Sequence, residues 1–434
     1  MKKFIILLVV VSVVAVGSYF IYDNYFVEKG IPVLDVEDEH VSISEYYIYG
    51  TTLNMVGEVR NIDTSYSKVD LVLYDGEFKS YDIVSKKDVN NLSFYITDEL
   101  NTGLYLDDIP ESEYFMFLRF SYEDKGDSYY KYYVIENNTD YDNITYYTLS
   151  TSNNMINFNS SNDYGTMELK VSKNNESEVY DVVIDPGHGG EDGGAAVGND
   201  TEANLAMGIA EKIKEKIEAS GYTVKLTREA NQFGASDYFD EYNSDNIDYV
   251  GRAVIPQDVH AKYTFSIHMN SIDAKYVSGF EIYVADNINY DLAIDLADNI
   301  SNYVGIKASG NTTYRVSNGV YVHNFTDSEI KASLEKYDKL GYVPYDLTNK
   351  SNYLYMIRET GGYMTGAYVD DRNATTVGYN PYYNSNIGVE TYLLELGYLT
   401  NSDDLDKLKN SQDKYAEAIS DSIIRELRME IVSE

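Results

Sequence analysis

The chain changes rhythm near residue 179, and that change limits it to two kinds of unit in series. From about Ile31 to Val171, apolar residues come in short runs rich in Val, Ile, Tyr, Phe and Thr. Asn, Asp, Gly and Ser separate the runs. Val69 to Tyr74, Tyr114 to Tyr122, Tyr129 to Ile135 and Met167 to Val171 are examples, and Met167, Leu169 and Val171 alternate with polar neighbours. Period-two alternation sets one face of a strand in a core and the other in water. Short strands at regular spacing, with turn signals and no helical stripe, predict an antiparallel β-sandwich over 31–171. Ser172 to Glu178 is polar without periodicity and reads as a linker.

From Val179 the rhythm becomes strand, helix, strand. Val182–Ile184 is a short apolar run. Leu205, Ile209, Ile213 and Ile217 then recur every fourth residue beside Ala206 and Ala210, which predicts a helix from about Glu202 to Ser220. Asp200 or Thr201 is its cap and Gly221 its stop. Tyr222 to Thr227, Tyr263 to His268, Phe280 to Val284 and Thr391 to Leu396 read as further strands. Leu292, Leu296, Ile300 and Tyr303 mark a second helix, and Tyr415, Ile419, Ile423 and Leu427 a C-terminal one. Such alternation predicts a layered α/β domain over 179–434. Two stretches break the pattern, one at about 230–249 and one at about 302–386; both read as surface excursions.

The start of the chain is a third kind of segment. Met1-Lys2-Lys3 precedes an apolar run from Phe4 to Tyr22, 19 residues long, with Asp23 and Glu28 beyond it. That is close to the ~20 residues a helix needs to cross a bilayer. The basic residues orient the N-terminus inward. The run is longer than the apolar stretch of an ordinary signal peptide and has no good small-x-small site. An uncleaved single-pass anchor over 1–22 is expected, with secretion after cleavage as the alternative. In either case the body is exported, following a short tether.

Charge and composition exclude some partners. A formal net charge of −37 repels phosphates, so no nucleic acid partner is expected. There are no cysteines, so any metal must be held by His and carboxylates. The 46 Tyr, against no Trp, suit β-structure and sugar-facing surfaces alike.

Four polar residues stand out within the second unit. His188 sits in Asp185-Pro186-Gly187-His188-Gly189-Gly190, immediately after a strand. Glycines there allow a sharp turn that projects a side chain into the crevice at the strand ends. Glu202 follows 14 residues later at a helix start, where an acidic residue is also common for the helix dipole alone. His268 ends the run Tyr-Thr-Phe-Ser-Ile, with Asn270 on the same face. Glu395 interrupts the apolar strand Tyr392-Leu393-Leu394-Glu395-Leu396, where a carboxylate is costly unless it faces a polar site or a cation. Taken singly, each could be an ordinary polar residue. Together, two imidazoles and one carboxylate are the ligand set of a catalytic zinc with an open position, and a further carboxylate is the proton shuttle such a site needs. Glu191, Asp192 and Glu390 are nearby competitors for the carboxylate roles. His40, His260 and His323 lie outside these segments and read as ordinary polar residues.

These segments, in this order, resemble the zinc-dependent N-acetylmuramoyl-L-alanine amidases, cell-wall hydrolases that open with Asp-Pro-Gly-His-Gly-Gly. The resemblance runs from about Val179 to the C-terminus with interruptions. It implies a mixed sheet flanked by helices, with Zn2+ held by His188, Glu202 and His268 and with Glu395 as the catalytic carboxylate. Arg252 and Asn270 match family positions near the site and are candidate substrate contacts. The implied reaction is hydrolysis of the amide between N-acetylmuramic acid and L-alanine of peptidoglycan. The alternatives are a zinc peptidase acting within the stem peptide, and a non-catalytic, membrane-tethered wall-binding protein. Tyr314, Tyr321 and Tyr363, in the second excursion, are candidate sugar contacts. The sandwich carries no recognisable site; it is expected to act as a spacer, as a wall-binding module, or as the surface on which a protein activator docks.

Overall fold

The computed structural model describes residues 40–60, 63, 65–88, 91–96, 101–137, 144–159, 167–175, 177–190, 193–230, 255–284, 288–322 and 389–432. The expected anchor over 1–22, Arg252, and most of the two excursions lie outside these residues. Among the described residues, no helix is long and apolar enough to cross a membrane.

The first half is all strand among the described residues, as its period-two pattern predicts. One sheet runs in the order Glu136–Asn137, His40–Tyr49, Thr52–Arg60, Asn91–Tyr95, Val84–Asp88. The other runs Ile144–Tyr147, Asn154–Asn159, Glu168–Lys173, Ser112–Asp124, Lys68–Tyr74, Phe78–Asp82. Residues of both sheets, among them Ile43, Leu53, Leu71, Phe94, Met116, Leu118, Ile156 and Leu169, share one apolar cluster. Each side chain of this size removed from water contributes about 1.5–3 kcal/mol.

The second half is built on a seven-stranded mixed sheet. Its strands are β1 (Val182–Pro186), β2 (Val224–Leu226), β3 (Tyr263–Asn270), β4 (Glu281–Val284), β5 (Arg315–Ser317), β6 (Val320–Val322) and β7 (Glu390–Tyr398), in the spatial order β2-β1-β3-β7-β4-β6-β5. β2, β1, β3 and β7 are mutually parallel, and β4 enters antiparallel to β7. The helices are α1 (Glu202–Ala219), α2 (Ile255–Asp258), α3 (Asp291–Val304), α4 (Ser402–Asn410) and α5 (Gln412–Val432). Helix α1 begins where expected: the Thr201 side chain accepts a hydrogen bond from the Asn204 N–H. Helix α3 stops at Gly305, whose φ of 74° is the left-handed conformation that a glycine takes without a Cβ clash. Helix α5 packs against both α1 and α3.

Alternation along three strands divides the sheet into an apolar and a polar face. Tyr263, Phe265, Ile267 and Met269 of β3 join one cluster with Tyr392, Leu394 and Leu396 of β7 and Ile282 and Val284 of β4. Leu205, Ile209, Ile213, Leu296, Ile300, Ile419 and Ile423 of the helices complete it. The intervening residues therefore face the other way: Thr264, Ser266, His268 and Asn270 on β3, Glu395 on β7, and Glu281 and Tyr283 on β4. The apolar positions bury the helices, and the polar positions are left for chemistry.

Residues 302–322 are not an excursion. They finish α3 and supply β5 and β6, which extend the sheet beyond β4. Strands of three residues are too short to show a period, so the sequence alone left them in the irregular stretch. Tyr321 is fully buried there, and its hydroxyl donates to the Asn311 carbonyl (3.1 Å), which removes it from the candidate sugar contacts. Tyr314 is exposed, and Tyr363 lies outside the described residues.

The two halves meet at the beginnings of β1, β3 and β7. Asp181, just before β1, accepts hydrogen bonds from the Ser150 N–H (2.6 Å) and hydroxyl, and from the Thr223 N–H (2.8 Å). Asn101 donates to Glu390 (2.9 Å) and to the Asn289 carbonyl (3.1 Å), and accepts from the Asn289 N–H (2.7 Å). Lys262 is fully buried between them. Burial draws its pKa down to about 8, against the opposing pull of Asp107 and Asp181. Glu390, the competitor for the catalytic role, thus belongs to this seam, on the helix-facing side of β7. It is five residues from Glu395, or about 16 Å along an extended strand.

Candidate metal centre

His188 follows the last residue of β1 by two positions, and the turn carrying it is backed from three sides. His188 itself has φ 57°, between Gly187 and the positive-φ Gly189 and Gly190. A left-handed non-glycine residue costs of order 1–3 kcal/mol, and such strain concentrates at functional sites. The buried Arg228 side chain holds the turn: its Nε donates to the Pro186 carbonyl (2.9 Å), and its Nη2 to the carbonyls of Gly187 (3.0 Å) and Ala203 (2.9 Å). Asp185 ties the end of β1 to its neighbours by accepting from the Thr227 hydroxyl (2.6 Å) and the Ser266 hydroxyl (2.5 Å).

Glu202 opens α1 and links the two histidines. One oxygen lies 3.1 Å from His188 Nε2, and the other 3.0 Å from His268 Nδ1. The same oxygens accept the backbone N–H groups of Ala195 (3.0 Å) and Met269 (3.0 Å). Burial pushes the Glu202 carboxyl up, but the hydrogen bonds and charges of His188 and His268 outweigh it and hold it well below the usual carboxylate range. Glu202 is therefore an anion in a buried place, which is the state a metal ligand needs. The two imidazoles meet edge-to-face at 5.1 Å.

The donor atoms of His188, Glu202 and His268 all lie within 4.8 Å of one another. The backbone leaves room for them at two glycines. A Cβ on Gly187 would sit 2.4 Å from the His268 ring, and one on Gly194, whose φ is +63°, would sit 2.6 Å from His188 and 2.7 Å from Glu202. His268 Nε2 is buried without a hydrogen-bond partner. An ionised, nearly enclosed carboxylate between His188 Nε2 and His268 Nδ1 is a fit for a cation, which would be held by all three side chains at once.

Glu395 is the register partner of His268 on the adjacent parallel strand, and therefore on the same polar face. The four residues singled out in the sequence thus converge at the carboxyl ends of β1, β3 and β7, where open α/β sheets bind their ligands. Asn270 is on that face too, its amide 3.4 Å from Glu281. Arg252, Glu191 and Asp192 lie outside the described residues. His260 stands at the opposite pole, against Tyr147 of the first half, and burial takes its pKa down to about 4.

Three residues of this region were not singled out in the sequence: Arg228, Asp185 and Glu281. Arg228 had no signal, because it caps carbonyls that only the fold assembles. Glu281 had one: like Glu395, it is a carboxylate inside an apolar strand, Phe280-Glu281-Ile282-Tyr283-Val284.

A family model for N-acetylmuramoyl-L-alanine amidases matches residues 182–425, more than half of the chain. The chain belongs to this family. Among its relatives is the germination-specific N-acetylmuramoyl-L-alanine amidase of Bacillus subtilis, 30% identical over 99 residues, which are 23% of this chain and 42% of that protein. Another is the N-acetylmuramoyl-L-alanine amidase AmiC of Neisseria meningitidis, 43% identical over 53 residues, which are 12% of this chain and 13% of that one. The matches span less than half the length of either relative. Solved structures similar to this chain include AmiC2 of Nostoc punctiforme (24% identity, TM-score 0.36, covering 58% of this chain and 99% of that one). The catalytic domain of CwlV from Bacillus (Paenibacillus) polymyxa var. colistinus is another (20% identity, TM-score 0.36, with the same two coverages).

Proposed function

We propose that the chain hydrolyses the amide bond between N-acetylmuramic acid and L-alanine of peptidoglycan, with zinc held by His188, Glu202 and His268. The observation that carries this reading is the set of three donor atoms from His188, Glu202 and His268 within 4.8 Å of one another, with Glu395 one strand away, in a chain of this family. A zinc ion there supplies a Lewis acid and a water acidic enough to attack at neutral pH. Glu202 contributes the negative charge of the set, and the N–H groups of Ala195 and Met269 hold its carboxylate with one oxygen toward each histidine. Arg228 and Asp185 hold the His188 turn against the ends of β1 and β3. Glu395 takes a proton from the attacking water and returns it to the nitrogen of the leaving alanine as the C–N bond breaks. The products are a lactyl carboxylate and a stem peptide with a free amino terminus. Asn270 and Arg252 remain candidate contacts to the substrate.

The location and partners of the chain follow as proposals of the same kind. We read 1–22 as a single-pass anchor that keeps the body on the wall side of the membrane. The two-sheet unit over 40–173 is then a spacer that could also receive a protein activator.

The test incubates the full-length chain, in detergent with zinc, with purified sacculi. New amino-terminal alanine should appear, and should fall by about 10²–10⁴-fold in Glu395→Gln with its zinc retained. Peptides cut within the stem, with no new amino-terminal alanine, would reject the muramoyl–alanine assignment in favour of the peptidase alternative. Bound zinc without turnover would favour the wall-binding one.

A further inference from the structure

Glu281 is a buried carboxylate that the mechanism above does not use. It is 1% exposed, and it lies opposite Glu395 in the antiparallel ladder of β4 and β7. Since His268 is the partner of Glu395 on the other side, the three residues form one rung across three adjacent strands, all on the polar face. Both Glu281 oxygens are occupied. Oε1 accepts from the Ser309 hydroxyl and from the Tyr398 hydroxyl (3.1 Å); Oε2 accepts from the Tyr283 hydroxyl (2.5 Å) and from the Asn270 amide (3.4 Å). These four contacts match the four acceptor sites of a carboxylate, and all four donors are neutral.

A carboxylate buried among neutral donors is a costly way to tie strands together, because an apolar residue would fill the position without losing hydration. Two of its partners indicate its use. Tyr283 and Tyr398 are held protonated by burial first and by Glu281 next, and both also feel the charge of Glu395. Tyr283 lies on the same face, diagonal to Glu395 across the β4–β7 ladder, and the hydroxyl hydrogens of both tyrosines are committed to Glu281. Asn270, two residues beyond His268, is drawn to the same anchor.

We propose that Glu281 is a positioning residue for the amide-cleaving step. It pins Asn270, Tyr283 and Tyr398 as a collar that holds Glu395 in the orientation in which it collects and returns the proton. The proposal rests on the amidase reading. It predicts a defect in the chemical step with metal and substrate binding intact, since Glu281 touches neither His188 nor Glu202, is sealed from bulk water, and holds the candidate substrate contact Asn270 only by the longest of its hydrogen bonds, 3.4 Å.

The experiment compares the full-length wild type with Glu281→Gln and with the pair Tyr283→Phe/Tyr398→Phe. Zinc content, melting temperature, kcat and KM are measured on a soluble muramoyl-peptide and on an analogue whose scissile amide is replaced by an ester. Misplacement of a catalytic group by about 1 Å costs roughly 10²-fold in rate. Glu281→Gln should therefore keep full zinc and a KM within about twofold of wild type, and lose about 10²-fold in kcat on the amide. The loss on the ester should be much smaller, because its leaving oxygen needs less help from Glu395. The tyrosine pair, which leaves Glu281 in place, should show the same split, and it carries the test if Glu281→Gln fails to fold. A wild-type kcat in the variants, or a loss of zinc or a KM shift in step with kcat, would overturn the proposal. The comparison applies to whichever amide the wild-type chain opens. A stem-peptide product therefore rejects the muramoyl reading and leaves the comparison standing, whereas a wild type that opens no amide rejects both.

Discussion

Replacing Gly187 with alanine drives a methyl group into the His268 imidazole. The added Cβ would lie 2.4 Å from Cε1 and 2.6 Å from each ring nitrogen. Ordinary carbon contacts begin near 3.5 Å, so the ring must withdraw by about 1 Å. Metal–ligand distances tolerate about ±0.2 Å, so the retreat is about five times what a bound ion accepts. Disturbing the groups that merely orient a ligand lowers metal affinity about 10–100-fold, and displacing the ligand itself should do no less. Gly187→Ala is therefore expected to weaken zinc binding by at least about 100-fold, or about 2.7 kcal/mol. The overpacked ring should also lower folding stability by about 1–3 kcal/mol. The assay is competition for zinc against a chromophoric chelator, with thermal melting of the metal-free chain alongside. Gly310→Ala is the control, since nothing lies within 4 Å of a Cβ there. If Gly187→Ala binds zinc like wild type, the placement of His268 as a metal ligand is wrong.

Two further predictions concern the seam between the halves. Asp181→Ala removes the acceptor of the Ser150 and Thr223 N–H groups, both half-buried; it should cost about 1–3 kcal/mol and split a single calorimetric transition into two. One unchanged transition would argue against this contact as the link. Glu390 is held by burial at a pKa of about 8, so between its unfolded value near 4.3 and 8 the folded chain binds the extra proton. Its contribution to stability is complete below that window and is lost as pH rises through it, with a slope of at most about 1.4 kcal/mol per pH unit. Asp107, raised to about 6, adds the same sign at lower pH, and His260, lowered to about 4, the opposite sign. The measurement is therefore the difference between wild type and Glu390→Gln in urea midpoints from pH 5 to 9; parallel curves would refute it.

The candidate metal centre could be read from the chain because its residues occupy local contexts with strong signals. A histidine between glycines after a strand, a glutamate opening a striped helix, and a glutamate breaking an apolar strand are each visible within a dozen residues. The alternation Tyr-Thr-Phe-Ser-Ile-His-Met-Asn in β3 already assigned His268 and Asn270 to the polar face. Glu281 carried the same misfit as Glu395 but, with no partner in the sequence to pair it with, it did not stand out.

Local pattern by itself determined most of the strands and helices here, which face of each turned inward, and which four side chains were candidates for metal-site chemistry. Periodicity and hydration cost act over a few residues, so they are written in neighbouring letters. Only the tertiary structure decided that β7 lies between β3 and β4, and hence that Glu281, Glu395 and His268 share a rung although more than a hundred residues separate two of them. It also decided that Arg228 caps the His188 turn and that Asp181, Lys262 and Glu390 form a seam with the first half. Those relations depend on strand order and register, which arise from the packing of whole layers and leave no trace in any single stretch of the chain.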